Sequence, residues 1–106
     1  MPNAPRVWVN PAQIAKALKR AERNLAPDVV RILYSLDDDW TGEPSIFFKV
    51  VLSDDAASRE SKLGEIAQRV INTVRNKVKP EELGLNSFFN FRSLSEHNEV
   101  KDPAWE

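Results

Sequence analysis

Few residues of this chain carry side chains suited to covalent or acid–base catalysis, and they do not form a recognisable set. The only histidine, His97, lies between Glu96 and Asn98 in a polar segment, and the chain has no cysteine. Nucleophilic catalysis needs a base held beside a serine or cysteine, so we expect His97 to be solvated and to have no catalytic role. The sequence predicts a protein that is not an enzyme, with no catalytic residue and no cofactor.

A run of carboxylates, Asp37 to Asp39, precedes Trp40 and Gly42 and is the best candidate for a metal site. Oxygen ligands followed by glycine are the opening half of a calcium-binding loop, but Phe48 occupies the twelfth position, where a bidentate glutamate is required. Acid–base catalysis by paired carboxylates needs a pocket that separates their pKa values, which an exposed loop does not provide. We therefore predict no metal site and interpret the segment as a hairpin loop whose Trp40 folds back over the sheet edge.

The three glycines are too far apart to form a phosphate-binding loop. Dinucleotide-binding and P-loop motifs need glycines within one short turn, and no two of Gly42, Gly64 and Gly84 share one. Gly64 falls inside a helical pattern, where we expect it to allow close packing.

Length and composition indicate one small domain. The chain of 106 residues has a net charge of −1, and it has no apolar run long enough to span a membrane. We predict a single domain over residues 1–94, in which residues 1–9 form an extended N-terminal segment, and a flexible acidic tail over residues 95–106. The first residues lack the pattern of a secretory signal, so the expected location is the cytoplasm, with no membrane partner.

Two segments have the apolar periodicity of amphipathic helices. The first begins with Asn10 as N-cap and Pro11 at the first helical position, and it ends before Pro27. The second ends at Pro80, and a further helical turn closed by Gly84 follows it. The start of the second helix is open, because several residues could cap it: Asp54, Asp55, Ser58 and Ser61.

Three segments have the alternation of β-strands, namely residues 29–36, 46–52 and 87–92. The connection between the first two is rich in aspartate, glycine and proline, which predicts an antiparallel hairpin with a long loop. The order of elements is helix, strand, strand, helix, strand, and the long helix can connect the second strand to a parallel third one. We predict an α+β fold with a three-stranded mixed or antiparallel sheet and two helices on one face.

The sheet face turned away from the helices is expected to be unusually apolar. The helices pack on Ile32, Tyr34, Phe48 and Val50, and on either Phe89 with Phe91 or Phe88, which leaves the intervening residues on the other face. Exposed apolar patches usually mark partner surfaces, so the sequence predicts a module that binds a protein partner or a second copy of itself, as a homodimer. The predicted partner-binding residues are Arg31, Leu33, Phe47, Lys49 and Val51. The alternative is that the tail, the segment around Trp8 or the first helix covers this face.

The outer surfaces of both predicted helices are basic, which predicts an alternative function. On one layer they would form a cationic surface suited to the phosphates of RNA or DNA. The candidate residues are Lys16, Lys19, Arg20, Arg23, Arg69 and Arg75. The same charges are typical of the solvated side of any surface helix.

The predicted order of elements resembles that of type II KH domains and of ribosome-binding factor A, which also start with a helix followed by a hairpin. A KH domain binds nucleic acid through a G-x-x-G turn between two helices, and no two glycines here have that spacing. The resemblance is therefore confined to the order of elements and implies no functional residue.

Overall fold

The structure is a computed structural model that describes residues 9–100, so the predictions for residues 1–8 and 101–106 lie outside the described residues. Its elements are α1 (Pro11–Leu25), β1 (Val29–Asp38), β2 (Pro44–Leu52), α2 (Asp54–Ser58), α3 (Leu63–Val78), β3 (Asn86–Ser93) and α4 (Leu94–Val100), with 3-10 turns at Glu60–Lys62 and Pro80–Leu83. Within residues 9–100, no helix has the length and apolar character needed to cross a membrane.

The three strands form one mixed sheet in the order β1-β2-β3. β1 is antiparallel to β2, and β3 is parallel to β2. Tyr34, Phe48 and Phe89 are direct cross-strand neighbours. The predicted α+β fold is confirmed, and the parallel pairing of β3 decides for the mixed sheet between the two alternatives that the sequence left open. β1 and β2 extend two residues further into the hairpin loop than predicted, because backbone pairing continues where the apolar alternation has already ended.

Helices α1 and α3 pack side by side on one sheet face and enclose the core. The N-cap of α1 is Asn10, whose side chain accepts a hydrogen bond from Ala12 N at 3.0 Å. Phe89 and Phe91, rather than Phe88, pack against the core, which fixes the orientation of β3 that the sequence leaves open. The fully buried members of the core with the largest side chains are Leu25, Ile46, Phe48, Val50, Val70 and Val74.

The second predicted helix is capped by none of the four candidate residues. Ser53 caps α2 by accepting a hydrogen bond from Ala56 N at 3.1 Å. The chain then leaves the helical conformation at Arg59, and α3 begins at Leu63 without a side-chain cap. A short helix, α2, therefore precedes the long one. The buried side chain of Ala56 packs α2 against the domain.

The C-terminal end of α3 follows the prediction. Lys79 adopts the left-handed conformation with φ 54°, and its N–H donates to the carbonyl of Arg75. Pro80 starts the expected helical turn, which Gly84 closes with φ 70°. The expectation for Gly64 is wrong: a Cβ there would meet nothing within 4 Å, so close packing does not require glycine.

Candidate interaction surface

The sheet face opposite α1 and α3, called here the open face, carries all five predicted partner-binding residues. They come together because cross-strand neighbours form three rows: Ser35, Phe47 and Phe88; Leu33, Lys49 and Asn90; and Arg31, Val51 and Arg92. The three rows differ in what covers them. The open face therefore has an aromatic end, a polar middle and a covered end.

The aromatic end consists of Trp40, Phe47 and Phe88, called here the aromatic row. The rings of Phe47 and Phe88 stack with their centroids 5.2 Å apart and a 19° angle between their planes. Trp40 extends the row, with its ring centroid 5.3 Å from that of Phe88 at a tilt of 54°. Phe47 and Phe88 are half-buried, whereas Trp40 is 81% exposed. The row thus presents a preformed aromatic surface with an exposed edge.

The hairpin loop positions Trp40 through the carboxylate of Asp39. One oxygen of Asp39 accepts hydrogen bonds from the N–H and hydroxyl of Thr41, at 2.8 and 2.6 Å, and from the N–H of Glu43 at 3.1 Å. The side-chain amide of Asn86 on β3 donates to Asp39 and, at 2.7 Å, to Glu43. Trp40 lies within this loop, between Asp39 and Thr41, so the bonds that order the loop also orient the indole toward Phe88.

These hydrogen bonds, led by that from the Thr41 hydroxyl, lower the pKa of Asp39 to about 2. The carboxylate is thus occupied by groups of the protein itself. Within residues 9–100, no group of three or more histidine, aspartate or glutamate side chains is arranged to hold a metal ion. The loop therefore organises this end of the sheet, and Trp40, which was expected to fold over the sheet edge, instead contacts Phe88 on the open face.

The polar middle of the open face is a row of partly covered side chains. Lys49 donates from Nζ to the hydroxyl of Ser35 at 3.1 Å, and both Lys49 and Leu33 are half-buried. Arg31, at the outer edge of β1, is exposed. Leu33 and Lys49 therefore border the aromatic row on one side, and Arg31 lies one row further along the strands.

The remaining end of the open face is covered by α4. Val51 is fully buried although it points away from the core between sheet and helices, and α4 contacts both β2 and β3. Two hydrogen bonds anchor α4, since the N–H and hydroxyl of Ser95 donate to the carboxylate of Asp54 at 2.9 and 2.6 Å. They also lower the pKa of Asp54. Val51 therefore offers no surface to a partner.

The presence of α4 corrects the prediction of a flexible tail for residues 95–100. Its first turn is capped, because the Ser93 hydroxyl accepts from Glu96 N at 3.1 Å while the Glu96 carboxylate accepts from Ser93 N at 3.3 Å. His97 lies in this helix and is half-buried rather than solvated. Seven residues with few apolar side chains give little periodicity, so the capping pair was the signal available in the sequence.

The predicted basic residues separate into two groups. On α1, the cationic side chains lie opposite the buried stripe and form no ion pair with any residue of the described chain: Lys16, Lys19, Arg20 and Arg23. On α3, Arg69 pairs with Asp28 at 2.5 Å. Arg75 donates to the Ser87 hydroxyl at 3.3 Å and lies over the ring of Phe89. Of the two predicted basic groups, the one on α1, called here the α1 stripe, is thus the group without an ion pair to any residue within 9–100.

Two residues of the aromatic row, Trp40 and Phe88, were not among the predicted site residues. Phe88 was missed because the orientation of β3 could not be determined from a run of three phenylalanines in four residues. Trp40 was treated as part of a solubilising loop. The spacing of Asp39 and Thr41, which is typical of a side-chain-capped turn, could have indicated that the loop is ordered.

Comparison with known proteins adds no further constraint. No protein-family model matches this chain, and no curated protein is similar to it in sequence. The class is therefore defined by the fold itself, an α+β domain with a three-stranded mixed sheet. Its function must be argued from its surfaces.

Proposed function

We propose that this protein is a cytoplasmic, non-enzymatic interaction module that binds a protein partner, or a second copy of itself, through the open face. The observation that supports this proposal is the exposed indole of Trp40, which rests on Phe88 while Phe88 stacks on Phe47. An aromatic ring that stays in water contributes little to folding, whereas aromatic side chains are enriched among the residues that dominate binding energy at interfaces.

The surroundings of the aromatic row have the composition of an interface. The aromatic row lies at one end of the open face, with Lys49 in the next row and Arg31 one row further, so charged groups border the aromatic groups on one side, as polar residues do at the rim of an interface. The hydrogen bonds of Asp39 order the loop before any partner arrives. Such preorganisation reduces the entropy lost on binding.

Site-specific photocrosslinking in the native host tests this function. The photoreactive residue p-benzoylphenylalanine replaces Trp40 in the full chain, and in a matched control it replaces Gln68, which is exposed on α3. We expect a discrete protein adduct from position 40 and none from position 68. An adduct that nuclease digestion removes, or adducts from position 68 alone, would contradict the proposal.

A second candidate function is nucleic-acid binding by the α1 stripe. The specific observation in its favour is that Lys16, Lys19, Arg20 and Arg23 are exposed and have no acidic partner among the described residues. Binding of this kind weakens steeply as salt concentration rises, whereas an apolar contact responds little. Fluorescence anisotropy with mixed-sequence RNA and DNA oligonucleotides across a salt series tests it. Lys16→Glu with Arg20→Glu should abolish any binding, and Trp40→Ala should leave it intact.

A further inference from the structure

β1 is an edge strand, and one side of its backbone has no neighbouring strand within residues 9–100. The hairpin closes with Asp39 N donating to the carbonyl of Glu43 at 2.8 Å, so the odd-numbered residues of β1 bond to β2. The N–H and C=O groups of Ile32, Tyr34 and Leu36 therefore point outward, because these groups alternate along an antiparallel pair. Such an edge is a template for a further strand.

Side chains close both ends of this edge and leave its centre open. The N–H of Ile32 donates to the carboxylate of Glu22 on α1 at 2.7 Å, and the N–H of Asp38 donates to the side chain of Asp37 at 2.8 Å. Between them, the described chain provides no partner for the outward groups of Tyr34 and Leu36. The side chain of Leu36 is also 42% exposed. The open stretch is thus short and centred on Ser35.

We propose that a second copy of this chain occupies this edge, with the two β1 strands antiparallel about a two-fold axis at Ser35. In that register Tyr34 of each copy exchanges two backbone hydrogen bonds with the other copy's Leu36, while Glu22 keeps its bond to Ile32. The Tyr34 ring then covers the exposed Leu36 side chain of the other copy, since directly paired residues share a face.

The charges of β1 favour a second copy over an unrelated strand. Arg31 lies near one end of β1 and Asp37 near the other, both on the open face, and Asp39 directly follows the strand. Antiparallel self-pairing about Ser35 places Arg31 of each copy diagonal to the other's Asp37, within reach of a long side chain, and opposite Asp39, whose carboxylate keeps its hydrogen bonds within the loop. Arg31 has no ion pair with any residue of the described chain. Two such contacts form at once, because a two-fold interface repeats every contact.

This inference goes beyond the proposed function, because it uses the edge of the sheet and leaves the aromatic row free. The dimer is a six-stranded sheet that carries two aromatic rows on one continuous face. It also pairs the centre of the β1 edge, which has no strand beside it within residues 9–100.

Sedimentation equilibrium of the full chain, with charge-reversed variants, tests the edge dimer. Arg31→Asp alone and Asp37→Arg alone each bring like charges together twice, and we expect each to raise the dimer dissociation constant about tenfold. An equimolar mixture of the two single variants restores opposite charges between positions 31 and 37 at both ends, as does the double variant, so both should dimerise more tightly than either single variant alone. Lys16→Asp, on the outer side of α1, is the matched control and should change nothing.

A backbone variant gives an independent test of the edge dimer. Leu36→Pro removes one outward N–H donor and leaves the bonds to β2 intact, since proline is tolerated on edge strands. It should abolish the dimer while unfolding stays cooperative. A wild type that remains monomeric, or a dimer insensitive to both Leu36→Pro and the charge reversals, would overturn the inference. A dimer lost only with Trp40→Ala would also overturn it, and would instead support self-association through the aromatic row.

Discussion

The two faces of the sheet are built from alternate residues of the same strands, yet they are buried to different degrees. Phe48 on the helix-covered face is fully buried and stacks on Phe89, with ring centroids 4.9 Å apart. Its neighbour Phe47 stacks on Phe88 at 5.2 Å but is only half-buried. The two phenylalanine pairs have the same residue type and the same cross-strand pairing on the two faces. The difference lies in the covering layer, which is two long helices on one face and the seven-residue α4 on part of the other.

The largest effect is expected on the helix-covered face. Phe48→Ala should lower the free energy of unfolding by about 3 to 5 kcal/mol, because it removes buried apolar area and leaves a cavity. Denaturant unfolding measures this loss. Phe48→Leu is the control and should lose less than about 1.5 kcal/mol. A small loss for the alanine variant would contradict the placement of Phe48 in the core.

The covered end of the open face should show the next largest effect. Val51→Ala should cost about 2 kcal/mol, because two buried methyl groups are removed beneath α4. Ser95→Ala, which removes one hydrogen bond to Asp54, provides the matched test of that cover. If α4 buries Val51, the two changes should be non-additive in a double-mutant cycle. Strict additivity would show that α4 is not what covers Val51.

Phe47→Ala should cost about 1 kcal/mol of stability, mainly the stacking contact with Phe88, since its ring is already half in water. Unfolding of Phe47→Ala, Phe88→Ala and the double variant measures that coupling. A loss as large as that of Phe48→Ala would place Phe47 in the core and remove the distinction between the two faces.

The smallest of these structural effects concerns the loop that holds Trp40. The pKa of Asp39 is lowered to about 2 from 3.8. The ionised carboxylate therefore stabilises the folded loop fully above pH 4, and this stabilisation is lost as the pH falls through 2. The amide resonances of Thr41 and Glu43 in NMR spectra should shift with a midpoint near pH 2. Asp39→Asn should flatten this titration. A midpoint at the ordinary aspartate value would show that the loop bonds are not formed.

The sequence was sufficient for the parts of the fold that depend on periodicity. The stripe from Ile14 to Leu25 and the alternation around Phe48 each identify one buried face, whereas the long helix between two strands allowed a parallel third strand without requiring it. The orientation of β3 could not be predicted, because Phe88 and Phe89 are equally apolar and only tertiary packing selects between them.

The covered end of the open face was beyond sequence reasoning for a different reason. The alternation places Val51 on the open face, which is where it lies, but its burial depends on α4, a helix too short and polar to show periodicity. Trp40 likewise depends on a network of side-chain hydrogen bonds between Asp39, Glu43 and Asn86. The bonds from Asn86 join residues that are 47 and 43 positions apart, so no local pattern records them, whereas the spacing of Asp39 and Thr41 is a local signal of the turn alone.

Trp40→Ala tests most directly whether the aromatic row of the open face contributes to partner binding rather than to folding stability. The unfolding free energy and the retention of the partner crosslinked from position 40 are measured on the same preparation, with Gln68→Ala as the matched control. Because Trp40 is 81% exposed, stability should change by no more than about 0.5 kcal/mol. Partner retention should fall at least about fivefold, as expected for an aromatic anchor worth about 1 kcal/mol or more. Unchanged retention would contradict the account.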